Sequence, residues 1–561
     1  MSERNVKDPL LTRYRGYSES ADAPLPKDKG AHGNPYLRFT ILFGFLVVAI
    51  ALLPLWLSPI IPDTAGIVIA AIMVFFGFEW LVVALCAVRN YRKLDLAPIA
   101  SWEESLTLRD RKFKHIVIVP CYLDPLDVLH NCIETLVFQA RPEDLVVTIT
   151  FEKKTPDLED KISSVKSAFS DKFGDFLIVV HELNAASEIP GGCSNKNFAL
   201  RESYKYVSKR HGAEYHTTRY TITTCDTDSK FHPRYFETLE AAYNAENPRE
   251  DIPVNMNVWQ PSLFYNWNLD ERPFFNRVTC IMRTMMMLGG LISFNINPMS
   301  IFSYPLELGY QAGFVNPRYG VDDIIFKVRC MCDTNTSVPV RLLPVIVISG
   351  PTIGTTFWEE ANEWGRQCRR WIVGASESFH YFIIHWRGKP FFSALSWFFL
   401  FFNYYGVLLC CAGIFQIFGS IPYPWVHYQE IDLNGDGTAD FSLKYAGLVG
   451  LALQMIAFGI GFGIDAFGAR RLGLVEDISP IRNLAHWLSS PFVLLTYSLI
   501  AFLSIVRFMF EGKKMAGHDM AAKEGFKVDE GICVEQRHND PADIVRVHDG
   551  ASMRDSFVAS K

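Results

Sequence analysis

Three short stretches carry residue types and spacings suited to chemistry. In "TTCDTDSKFHPRYF", Asp226 and Asp228 flank Thr227 at the end of a β-rich run. Two carboxylates on a rigid strand end can hold a hard divalent cation through oxygen, with substrate phosphates completing its shell. The plainer alternative is a solvated turn or a helix cap. In "RYGVDDIIF", Asp322 and Asp323 follow Gly320 and precede an apolar segment. They suit the first turn of a helix, and equally a general base beside a cleft that takes a proton from an attacking hydroxyl. In "WGRQCRRWIVG", Gln367, Arg370 and Trp371 stand just before the chain turns apolar. Planar charged and aromatic side chains there serve either as membrane anchors or as a grip on a phosphorylated sugar and the chain it extends.

The first pair needs a strand to hold it, and the pattern around it is α/β. Residues 115–122 (HIVIVPCY) read as a buried strand, 126–139 as a helix, and 145–151 (LVVTITF), 176–181 and 220–225 (YTITTC) as further strands. Alternating strands and helical segments are the α/β signature. Asp124, Glu152, Glu182 and Asp226 gather where these strands end, and open α/β sheets bind ligands at the carboxyl ends of strands. The chain has no GxGxxG, GxxxxGKS or GxxxxGKT, which argues against a dinucleotide fingerprint or a P-loop. The third stretch needs a helix. Thr356 and Glu359 form a capping box. Phe357, Ala361, Trp364, Cys368 and Trp371 then fall on one apolar stripe, with Glu359, Glu360 and Glu363 early and Arg366, Arg369 and Arg370 late, as the helix dipole prefers. This predicts an amphipathic helix at the membrane surface.

Membrane spans flank the soluble part. The chain is 49% hydrophobic with 20% charged residues, which fits a membrane protein with a sizeable soluble domain. A net charge of -6 and a pI near 6.2 give no reason to expect nucleic-acid binding. Residues 39–57 and 65–88 are long and apolar enough to cross a bilayer, and spans resume near 393–418, 445–464 and 489–510. Glu79, the one acid in the second span, is expected to face another helix. Arg4, Lys7, Arg13, Arg15, Lys27, Lys29 and Arg38 precede the first span; Arg89, Arg92 and Lys93 follow the second. The positive-inside rule puts both flanks in the cytosol. Five spans would place the last fifty residues outside, against Lys513 and Lys514, unless one late segment is re-entrant or interfacial. The 12 Cys lack zinc-ligand spacing and read as reduced, buried thiols.

Taken together, these residues resemble the membrane-embedded family-2 glycosyltransferases: cellulose, chitin and hyaluronan synthases and, more distantly, ceramide glucosyltransferase. Val119, Pro120, Cys121 and Tyr122 match the family's first strand end, with Asp124 at its acid. Lys196, Ala199 and Leu200 of "GGCSNKNFAL" match its Lys loop, and Gln260 and Pro261 of "VWQPSLFYN" its Q-x-P segment. Asp226 and Asp228 match DxD, Asp322 and Asp323 the acid pair, and Gln367, Arg370 and Trp371 match Q-x-x-R-W. The chain departs from the family at "TFEKKTPD", where Glu152 stands for an Asp-rich strand end, and at Val-Asp-Asp in place of Thr-Glu-Asp; the apolar residues that follow align Asp323 with the base.

The resemblance implies a cytosolic GT-A-like α/β domain, a mixed sheet flanked by helices, inserted between transmembrane helices of an α-helical membrane bundle. It implies inverting transfer of a sugar from a UDP-sugar donor to a growing polysaccharide, processive and coupled to export. A glycolipid-forming transferase, adding one sugar to a lipid acceptor, is the alternative. A non-catalytic membrane nucleotide receptor or transporter is the rival from another class. The implied cofactor is Mn²⁺ or Mg²⁺ on Asp226 and Asp228. Tyr122, Asp124, Glu152, Lys196, Asp226, Gln367 and Arg370 are the implied donor contacts, Trp371 and Gln260 the acceptor contacts, and Asp323 with Asp322 the catalytic acids. The expected organisation is a cytosolic tail (1–38), two spans (39–90), the catalytic domain (95–355), interfacial helices (356–390), a membrane bundle with a polar loop at 419–444 (391–510) and a polar tail (511–561). The plasma membrane is the expected location, with Golgi or ER as alternatives. "EIDLNGDGTADF" has calcium-loop spacing at Asp432, Asn434, Asp436, Gly437 and Asp440, but Leu443 stands where an EF-hand has Glu. A weak calcium site and a plain polar loop both remain open.

Overall fold

The computed structural model describes residues 36–96, 113–184, 188–210, 218–246, 256–265, 269, 272–334, 336–351, 356–387, 391–421, 430–431, 441–442, 445–471, 479–512, 533–534 and 547–548. The calcium-like positions Asp432 to Asp440, nearly all of the 1–38 tail and most of the 511–561 tail lie outside the described residues. The segment expected as the first span forms helix α1 (Tyr36–Ala51) and a short helix, Leu53–Leu57, with Pro54 in its first turn. Proline has no N–H to continue the ladder. Helix α2 (Pro62–Leu96) follows.

Strand β1 (Phe113–Cys121) opens the sheet and is followed by α3 (Leu126–Val137), β2 (Leu145–Glu152), α4 (Leu158–Phe169), β3 (Asp175–His181), α5 (Gly192–Arg210) and β4 (Arg219–Thr224). These four strands run parallel in the order β3-β2-β1-β4. Parallel strands are covered on both faces and read as unbroken apolar runs; β2 is buried from Leu145 to Phe151. Its two threonines are satisfied by α5, Thr148 against Ser203 at 2.8 Å and Thr150 donating to Asn195 at 2.6 Å. The second of these contacts fixes the helix turn that carries Lys196.

Beyond β4 come β5 (Lys230–Phe231), α6 (Tyr235–Glu246), β6 (Val258–Phe264), α7 (Phe274–Met286), β7 (Phe302–Pro305), α8 (Leu306–Ala312), α9 (Asp322–Thr334) and β8 (Val340–Ile348). They complete an eight-stranded mixed sheet, β3-β2-β1-β4-β7-β6-β8-β5, in which β7 is antiparallel to β4. The Met-rich stretch after Arg283 is a buried core helix that widens into a π-helical turn over Met287–Ile292. Gly289 lies there directly against the backbone of Val83 on α2, where any Cβ would collide.

α10 (Phe357–His385) begins as its sequence predicts, with Thr356 accepting from the N–H of Glu359 at 3.3 Å. It does not lie free on a surface. Residues Ile372 to Phe382 are buried on every side, because Gly374, Ala375, Ser376 and Ser378 allow close packing beyond the apolar stripe that ends at Trp371. Then come α11 (Phe391–Gly419), α12 (Ala446–Arg471) and α13 (Pro480–Glu511). Four helices, α2, α11, α12 and α13, are long and apolar enough to cross a membrane. α2 and α12 approach at Gly77 and Gly450, whose backbones leave no room for a Cβ, the small-residue packing that membrane helices favour. Glu79 does face another helix: Asn403 on α11 donates to it at 2.7 Å. Each of the eleven described cysteines is a free thiol.

Candidate active site

A cleft of ≈ 150 Å³ lies at the carboxyl ends of β1, β2 and β4. Their parallel register brings Tyr122, Asp124, Glu152, Asp226 and Asp228 to one rim, and α5 adds Lys196. The opposite rim comes from the start of α9, with Asp322 and Asp323, and from Gln367, Arg370 and Trp371 on α10. The residues expected as donor contacts, metal ligands and catalytic acids therefore share this cleft with Trp371, whereas Gln260 and the strand-end acid Glu182, paired with Lys153 at 2.9 Å, do not line it.

Gln260 is fully buried and lies outside the cleft, so it cannot touch a ligand there. It accepts from the N–H of Met299 at 2.7 Å and donates to the carbonyl of Ile301 at 3.0 Å. Between those two residues, the N–H of Ser300 donates to Asp323 Oδ2 at 2.9 Å. The sequence expectation of acceptor contact is corrected: Gln260 staples the loop that holds Asp323. The alternation that places Trp259 and Gln260 on opposite faces of β6 is a signal for burial, but it says nothing of the loop bonded to it.

Lys196 is buried and joins the two acid pairs, reaching Asp322 at 2.8 Å and Asp226 at 3.2 Å. Burial pushes its ammonium down, but the two carboxylates outweigh this and hold it above the ordinary lysine range. The two acids of the second pair thus differ. Asp322 is neutralised by Lys196, whereas Asp323 accepts only backbone N–H bonds, from Ser300 and, at 2.7 Å, from Ile324. Burial, reinforced by the charge of Asp322, pushes Asp323 up to about 6. Burial also raises Glu152, with Lys154 opposing it.

Two contributors were not singled out as site residues in the sequence. Arg283 on α7 lies 4.5 Å from the Trp371 ring and 4.3 Å from the Tyr265 ring, and faces the cleft. Among the described residues no carboxylate lies within ion-pair distance of it; ring faces make its close contacts, and Asp323 and Asp228 act on its charge from farther away. Glu377, buried on α10, accepts from the N–H of Gly320 at 3.0 Å, and Val321 seats against Gly374. Together they fix the turn that delivers Asp322 and Asp323. A single acid inside the apolar run "IVGASESFHYF" was the available signal for Glu377.

Two carboxylate side chains, Asp226 and Asp228, offer the hard oxygen donors that Mg²⁺ and Mn²⁺ prefer. Among the described residues no cluster of three His, Cys, Asp or Glu could hold an ion alone. The pair fits a cation only if ligand phosphates complete the shell.

None of the protein-family models matches the chain, and no curated protein does. Solved structures similar to it include the mannosyltransferase PcManGT from Pyrobaculum calidifontis in complex with GDP-Man and Mn²⁺, 12% identical over 74% of this chain and 99% of that one, TM-score 0.36. Another is TarS 1–349 of S. aureus, 13% identical over 69% of this chain and 90% of that one, TM-score 0.30. At these TM-scores the likenesses carry no weight for function, which rests on the geometry of the cleft.

Proposed function

We propose that the protein is an inverting glycosyltransferase that moves a sugar from a UDP-sugar to an acceptor hydroxyl. The observation that carries this is the convergence on one cleft of six separate segments: the ends of β1, β2 and β4, helix α5, the start of α9, and α10. It unites a carboxylate pair suited to a metal, a charged buried base, and the Gln367, Arg370 and Trp371 corner. The family resemblance supplies the donor class.

In this reading Tyr122, Asp124 and Glu152 at the strand ends border the nucleoside, and the diphosphate lies toward Asp226 and Asp228. A divalent cation held there with the phosphates would supply charge neutralisation for the departing diphosphate. Arg370 and Arg283 add cationic hydrogen-bond donors to the same leaving group. Asp323 accepts the proton of the acceptor hydroxyl as its oxygen bonds to the anomeric carbon. The bond from that carbon to the phosphate oxygen breaks, and the electron pair leaves with UDP. Asp322, already paired with Lys196, is poorly placed to be the base. Trp371 offers its remaining surface to the acceptor.

The test is direct. Purified protein in lipid nanodiscs is given Mn²⁺ or Mg²⁺ and a panel of UDP- and GDP-sugars, and nucleotide release and radiolabelled product are followed. Turnover with one UDP-sugar is expected. Tight UDP binding without turnover of any donor would overturn the reading in favour of a nucleotide receptor or transporter.

Gln260→Leu checks the supporting layer. It strips Met299 N–H and Ile301 C=O of their partners, at a cost of about 1–3 kcal/mol, read as a lowered unfolding midpoint. The Ser300 N–H favours the charged form of Asp323, so loosening it raises that carboxyl. The acid limb of the rate profile should therefore move to higher pH, with donor affinity unchanged.

A further inference from the structure

A second cavity of ≈ 100 Å³ lies against the far side of the base, and Arg283, Asp323 and Trp371 border both spaces. It sits among α2, α7 and the membrane-length helices α11, α12 and α13, with walls that include Met286, Leu409, Phe458 and Val493. From the glycosyl-transfer reading above, and resting on it, we infer that this chamber takes the alkyl chain of a lipid acceptor and presents that lipid's hydroxyl to Asp323.

The chemistry of the walls favours hydrocarbon over a sugar chain. Most of the polar side chains inside are already committed to the protein, the buried Trp80 indole N–H and the Arg283 guanidinium being exceptions. Thr279 accepts from the Trp364 indole at 2.9 Å, Tyr405 donates to Asn297 at 3.1 Å, Asn297 donates to the Pro298 carbonyl at 2.6 Å, and Ser490 donates to the His486 carbonyl at 3.1 Å. Among the described residues, the wall hydroxyls left without a partner are those of Tyr404 and Tyr497. A sugar unit brings several hydroxyls, and those not matched would lose water without replacement. An alkyl chain loses nothing. Size is compatible with this only for the methylenes next to the hydroxyl, since an apolar cavity of about 150 Å³ holds a single benzene. A smaller space lined by flexible methionines (Met282, Met286 and Met299) suits a narrow, adaptable chain. The hydroxyl end of such a chain would emerge between Trp371 and Asp323, facing the donor.

The probe is hexadecanol bearing a diazirine on its chain, applied to the full-length protein in phosphatidylcholine nanodiscs. Irradiation followed by peptide mass spectrometry should place adducts on wall residues of α7, α11 and α13, and excess plain hexadecanol should remove them. Leu409→Trp, which fills the chamber, should cut this labelling at least tenfold while UDP binding stays within twofold. Val493→Ala, which enlarges it, should keep the labelling and guards against a folding artefact. In the same preparation, labelled sugar should pass from the donor to a butanol-soluble product. Adducts confined to outward residues such as Phe392 and Phe510, unaffected by Leu409→Trp, would overturn the inference. So would elongation of a soluble oligosaccharide with no lipid-linked product. Chamber labelling without any nucleotide-sugar binding would instead sink the transfer reading and leave the alkyl site standing. Donor turnover with an unlabelled chamber would do the reverse.

Discussion

Asp323→Asn should lower sugar transfer by about 10²–10⁴-fold, the usual contribution of a general base, with nucleotide-sugar affinity changed less than twofold. Asp323 is the acid with no cation in contact; its hydrogen bonds come from the N–H groups of Ser300 and Ile324, and Lys196 acts on it only from farther away. Its carboxyl is pushed up to about 6 by burial and by Asp322, and it acts as a base only when ionised. In the parent the rate should therefore climb as pH rises through about 6 and level off above 7. In the Asn variant that limb should disappear, leaving a low, flat profile. Asp322→Asn is the control: it removes an acid already paired with Lys196 and should keep the limb but move it to lower pH, because the charge of Asp322 no longer raises Asp323. A variant at Asp323 within tenfold of the parent, or one that retains the limb, would assign the proton to another group.

The second large effect is structural and concerns Lys196→Met. Methionine fills similar space without charge, so the change isolates the electrostatic link between α5, the end of β4 and the start of α9. Removing one partner of a fully buried ion pair costs about 3–5 kcal/mol. Here the orphaned carboxylates still reach the cleft, with side-chain exposures of 37% for Asp226 and 18% for Asp322, so the expected loss is about 2 kcal/mol. The unfolding midpoint in nanodiscs should fall by several degrees. Adding Asp322→Asn to Lys196→Met should restore part of it, because one of the two repelling charges goes. Full additivity of the two changes would mean that the 2.8 Å contact carries no coupling.

Much of the architecture was legible in the sequence because its causes are local. The apolar runs of β1, β2 and β4 declare buried parallel strands through composition alone. The Thr356 cap marks the start of α10, and the long apolar segments declare membrane-length helices. Residue types at strand ends and helix starts named the acids of the cleft, since a parallel sheet brings strand ends together whatever its details.

Tertiary structure decided which of those residues do what. Lys196 and Asp322 are 126 residues apart, and no periodicity reveals that Lys196 contacts Asp322 directly while Asp323 has no cation in contact. The same holds for Gln260, whose polar side chain in a motif-like segment suggested ligand contact, and which serves as a buried staple because Met299 and Ile301 happen to need its two hydrogen bonds. Arg283 gained meaning only when α7 set it between Tyr265 and Trp371. The apolar chamber behind Asp323 is a property of no single segment. A cavity is the space several packed helices fail to fill, and where that space falls depends on side chains meeting across the whole bundle.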